Sequence, residues 1–89
     1  MRTPSVKELT QPGIYRHYKG GLYRLLTVAT NEADHEPVVV YISLQHGSIW
    51  VRPVSSWVES VETQGGFTRR FEYLYNGVPE NAFNQKPAP

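Results

Sequence analysis

The chain has 89 residues, 39% of them apolar and 19% charged, and its nine Lys and Arg against eight Asp and Glu leave a net charge of +1. That balance excludes a protein that grips nucleic acid by bulk electrostatics, so any such contact must be local. The absence of cysteine excludes a disulfide framework, a thiolate metal site and a cysteine nucleophile.

A single domain of this length buries only about 60% of the surface its unfolded chain exposes, so its core has to be filled efficiently. Six Tyr, three Phe and two Trp are available for that purpose. The sequence has no continuous apolar run of the kind that spans a bilayer or forms a signal peptide, which predicts a cytoplasmic protein without membrane contact.

In chain order, residues 1–12 read as an N-terminal extension with one helical turn, because Ser5 followed by Glu8 has the form of a capping box. Pro12 and Gly13 end it. Residues 13–75 read as the folded domain, in which Tyr, Val, Ile and Thr runs alternate with Gly, Asn, Asp and Pro, the pattern of consecutive antiparallel strands. Strands are predicted over Ile14–Tyr18, Leu22–Thr30, Val38–Leu44, Ser48–Arg52 and Phe67–Leu74. Gly20 and Gly21 suit a tight hairpin turn that needs positive φ. Pro53 ends the fourth strand, and a following helical turn puts Val54, Trp57 and Val58 on one side. Residues 76–89, with three prolines and little apolar content, are expected to form a flexible tail.

Five short strands with a helical turn before the last predict a mainly β fold, a small five-stranded SH3-like barrel. In the third strand Val38, Val40, Ile42 and Leu44 share one face and are the expected core, with Val39, Tyr41 and Ser43 on the other. The same reasoning points Ile49 and Val51 inward, and Trp50 and Arg52 outward.

The series Gly13-x-Tyr15-Arg16-His17-Tyr18-Lys19-Gly20-x-x-Tyr23, then Val39-Val40-Tyr41-x-x-Leu44, Trp50-Val51-Arg52-Pro53 and Arg70-Phe71-Glu72, resembles the bacterial domain-of-unknown-function family 1653. The resemblance runs from about Gly13 to Glu72. It implies an SH3-type barrel and no established activity. Trp57 departs from it, at a position where the family usually has phenylalanine.

His17 titrates near neutrality and is the first residue to weigh as an acid or base, but no nucleophile motif accompanies it, so no catalytic residue is assigned. His17, His35 and His46 have no metal-ligand spacing, Lys19-Gly20-Gly21 is not a phosphate loop, and neither metal nor cofactor is expected. Tyrosines and Trp50 interleaved with bases can stack rings and neutralise phosphates. The competing structural account buries those rings at a core rim and leaves the cations solvated.

The expected function is a binding module for nucleic acid or a nucleotide-like anion, with His17, Lys19, Tyr41, Trp50 and Arg52 as ligand-binding residues. The alternative is an SH3-like module for proteins or peptides, and a small enzyme using His17 is the third reading. The chain is expected as a monomer or a weak homodimer, the dimer forming by strand addition at an exposed edge.

Overall fold

The computed structural model describes residues 5–76, so the expected tail from 77 onward lies outside the described residues. The order of elements is α1 (Val6–Leu9), β1 (Gly13–His17), β2 (Leu22–Thr30), β3 (Pro37–Ser43), β4 (Ile49–Pro53), α2 (Val54–Trp57), β5 (Ser60–Thr63), β6 (Gly66–Arg69) and β7 (Phe71–Tyr75). Five strands form one antiparallel sheet in the order β4-β3-β2-β1-β7, and β5 pairs with β6 in a separate hairpin. The mainly β expectation holds. The sheet does not close on itself, so barrel describes it only loosely.

The capping box forms as read: the Glu8 amide donates to Ser5 Oγ and the Ser5 amide to Glu8 Oε1, at 3.2 and 2.9 Å. This turn is tied to the core. The Tyr15 hydroxyl donates to the Gln11 carbonyl at 2.7 Å, and Trp57 Nε1 donates to the Leu9 carbonyl at 3.1 Å. Burial, and next the neighbouring Tyr73, push the Tyr15 phenol above its ordinary pKa, so it remains a donor.

Opposed residues of antiparallel strands point to the same face, so the register decides which side chains meet. Tyr15 faces Tyr23 and Tyr73, Leu25 faces Tyr41, Val39 faces Arg52, Tyr41 faces Trp50, and His17 faces Phe71. This is the inner face, and it carries the core of Tyr15, Leu25, Val39, Tyr41, Val54, Trp57 and Phe71. The helical turn lies where the sequence places it, with Val54 and Trp57 buried and Val58 packed against the cluster.

The main core therefore forms on the opposite face of β3 and β4 from the one expected, although Val38 of the expected set is itself buried. Val39 and Tyr41 are buried, whereas Ile49 and Val51 are 62% and 64% exposed. Both β3 sets are apolar enough to be a core. The set with the aromatic ring wins because Tyr41 packs edge-on against Tyr23, Trp57 and Phe71, at centroid distances of 5.6, 5.0 and 5.7 Å. Buried aromatics contribute more area than valines and gain from such geometry.

The expected fifth strand also changes. Phe67–Leu74 is interrupted at Arg70, whose amide donates to the Glu59 carbonyl and whose carbonyl accepts from the Tyr18 amide, both at 3.0 Å. The chain thereby passes from the β5–β6 hairpin into the main sheet. The sequence pattern gives no sign of β5, since Val61 is its one apolar residue.

An aromatic cleft on the inner face

Beyond the closed part of the core, the inner face opens between β2, β3 and β4 into a cleft of about 280 Å³. Tyr23 and Tyr41 form its aromatic lining, with Ser43 and Ser48 nearby, while Trp50, Arg52 and His46 complete it. The Trp50 indole is 54% exposed and donates from Nε1 to Ser48 Oγ at 3.0 Å, which fixes one edge of the ring and leaves its faces available. Tyr41, expected to point outward, instead lies in the core with 6% exposure, and reaches the cleft from below.

Arg52 is half-buried. Its Nη1 donates to Ser56 Oγ at 2.8 Å, and its guanidinium carbon lies 5.7 Å from the centre of the Phe71 ring. Arg52 Nε is buried with no partner among the described residues. Leaving such a donor unpaired costs about 1–3 kcal/mol, which the cation–π contact offsets only in part. Glu59 is taken by Arg70 at 2.9 Å, and none of the described carboxylates forms an ion pair with Arg52. Its positive charge is therefore not neutralised by a protein carboxylate within the described residues.

His17 occupies the same inner face. Its ring lies 4.9 Å from Phe71 and 4.8 Å from Tyr18, and its Nδ1 accepts from the Lys19 amide at 3.1 Å. That bond places the proton of the neutral ring on Nε2. Burial first, and then Arg52, Arg70 and Lys19, hold its pKa below the ordinary histidine value, so the neutral ring predominates at neutral pH.

Four of the five expected site residues, His17, Tyr41, Trp50 and Arg52, thus share one face. Lys19 stands apart in the β1–β2 turn, its ammonium 5.7 Å from the centre of the Tyr18 ring. Arg16 and Arg24 belong to the outer face, since Arg24 is opposite Ile42 and Arg16 pairs with Glu72 at 3.7 Å. The bases of the first hairpin do not form one patch. Tyr23, Ser43, His46 and Ser48 join the cleft without being among the expected site residues; the parity of Tyr23 with Tyr15 across the Gly20-Gly21 turn is the available sign for the first. Among the described residues no cluster of three His, Asp or Glu can hold a metal, and no helix is long and apolar enough to cross a membrane.

The fold and cleft define a small mainly β domain with an open antiparallel sheet and an aromatic inner face. The family described as protein of unknown function DUF1653 matches residues 13–73, and the chain belongs to that family. A crystal structure of a DUF1653 protein from Bordetella bronchiseptica is similar, with 38% identity over 79% of this chain and 94% of that one and a TM-score of 0.70. No curated protein matches the chain.

Proposed function

We propose that this domain is a binding module that holds a ring-bearing anionic ligand, a nucleotide or a short single-stranded nucleic acid segment, in the cleft of its inner face. The observation that carries this reading is the exposed Trp50 indole beside the Arg52 guanidinium, over a cleft lined by Tyr23 and Tyr41. The indole supplies a stacking surface that every base can use, and the guanidinium supplies charge for a phosphate. His17 shares this face through its contact with Phe71 without lining the cleft, and Lys19 stands outside it in the β1–β2 turn.

The test uses the intrinsic fluorescence of the two tryptophans, since Trp57 is 1% exposed and quenching by an added ligand reports on Trp50. Titration with nucleotides and with short RNA and DNA single strands is expected to quench it. Trp50→Ala, followed by anisotropy of a labelled strand, should weaken binding roughly 5- to 150-fold, from about 1–3 kcal/mol per stacked base. With Arg52 as the phosphate contact in the cleft, log K should fall with log salt at a slope of about −0.7. No quenching at low salt by any of these ligands would overturn the reading.

A second reading has its own support. β4 is an edge strand among the described residues, and Ile49 and Val51 stand exposed on its outer side, which suits addition of an extended peptide. That mode predicts loss of binding in Val51→Lys, whereas ring recognition on the inner face predicts none.

A further inference from the structure

A second cleft, of about 410 Å³, lies where the end of β1 meets the β5–β6 hairpin. Its chemistry differs from that of the aromatic cleft. β1 and its turn contribute Arg16, His17 and Tyr18, the hairpin contributes Thr63, Thr68 and Arg69, and Glu72 of β7 completes the lining. Every one of these side chains carries a hydrogen-bonding group.

The donors are largely unspent. Arg69 has no ion-pair or hydrogen-bond partner among the described residues, and neither has the Thr68 hydroxyl. His17 is among the lining and carries its proton on Nε2, because Nδ1 accepts from the Lys19 amide. Thr63 is spent as a donor on the Gly66 carbonyl, at 3.0 Å. Glu72 is the one carboxylate in the lining, and its contact with Arg16 spans 3.7 Å between side chains that are 54% and 64% exposed. A pair so long and so wet is weak, and Arg16 can exchange it for another anion.

The surroundings favour an anion as well. Two guanidiniums against one carboxylate leave the lining with a charge of +1, and Lys19 from the turn, Arg52 from β4 and Arg70 at the entry to β7 add positive potential at His17. The phenol ring of the lining, Tyr18, is already flanked by the His17 ring at 4.8 Å and the Lys19 ammonium at 5.7 Å. A compact group with several acceptors fits such a lining better than a flat one.

We propose that this cleft is a phosphate site, in which Arg69 and Arg16 balance the charge while the Thr68 hydroxyl and His17 Nε2–H give direction. The site is separate from the aromatic cleft and does not depend on what that cleft holds. Its ligand is inorganic phosphate or the phosphate of a monoester.

His17 is the reporter, because an anion beside it favours the imidazolium. NMR titration of the full chain in inorganic phosphate, in a nucleoside 5′-monophosphate, and in chloride of the same ionic strength reads its pKa directly. A rise of about one pH unit over chloride is expected at His17 for an anion within contact range, and in inorganic phosphate it is expected at His17 alone among the histidines. A response to both phosphates identifies the bare group as sufficient, and a response to the monoester alone identifies an esterified ligand. Either result supports the site. Arg69→Gln, or Thr68→Val should the former not fold, is expected to reduce the rise, whereas Trp50→Ala leaves it intact. No rise in the wild type, or the same rise in a folded Arg69→Gln, would overturn the proposal.

Discussion

Trp57→Ala is expected to remove most of the stability of this domain, with a loss of about 3–5 kcal/mol. A chain of this size has roughly 4 to 13 kcal/mol in all, at roughly 0.05–0.15 per residue, so the variant sits close to unfolding at ambient temperature. The reason is the position of the indole. Trp57 is 1% exposed, stacks on Phe71 at 3.8 Å with the planes 8° apart, and receives the edges of Tyr15 and Tyr41, each at 5.0 Å. Its Nε1 proton also secures the N-terminal turn through Leu9. Trp57→Phe keeps a ring and loses that hydrogen bond, for which about 0.5–1.5 kcal/mol is expected. Urea denaturation of the three proteins measures both. A loss below about 1 kcal/mol in the alanine variant would contradict the packing described, given the range for buried large side chains.

Gly13→Ala is expected to be the most damaging glycine substitution in the first hairpin. Gly13 has φ of +151°, and a Cβ there would lie 2.6 Å from the Tyr75 carbonyl oxygen and 2.8 Å from Tyr73 Cε1. The first contact is with backbone, so relief requires β1 and β7 to move apart beside the irregularity at Ile14 and Tyr15. Strain of this kind costs about 1–3 kcal/mol. Gly20 has φ of +103°, and a Cβ there would meet nothing within 4 Å, so Gly20→Ala carries the conformational term alone. The thermal midpoint should therefore fall further for Gly13→Ala than for Gly20→Ala. Equal losses would show that the clash with β7 is absorbed without consequence.

Much of the local structure is legible in the sequence because single residues specify it. Ser5 and Glu8 announce their own capping box, Gly20 and Gly21 mark the hairpin turn, and Pro53 precedes the turn that buries Trp57. Alternation correctly groups Tyr41 with Val39 and Trp50 with Arg52. What it cannot supply is the sign, because Val38, Val40 and Ile42 look as much like a core as Val39 and Tyr41 do. That choice belongs to contacts distant in sequence, chiefly Phe71 and Trp57 meeting Tyr41. β5 escapes notice because a mostly exposed hairpin needs little apolar patterning.

The reversal of sign changes the meaning of the candidate site. Tyr41, Trp50 and Arg52 are not aromatics and cations displayed on an outer surface; they form the open end of the core, continuous with His17 through Phe71. Such a site is held by packed rings and a paired sheet, which limits how far its groups must be ordered when a ligand arrives. Arg16 and Arg24, neighbours of His17 and Tyr23 in the sequence, serve the outer face.

Ligand binding on the inner face, as proposed, is tested most directly by chemical-shift mapping with a short single-stranded oligonucleotide. The predicted result is a concentrated set of shifts at the Trp50 indole N–H, Ser43, Ser48 and the backbone of Tyr41 and Arg52. Shifts confined to Arg24, Ile42, Ile49 and Val51 on the outer face, or no shifts at low salt, would contradict it.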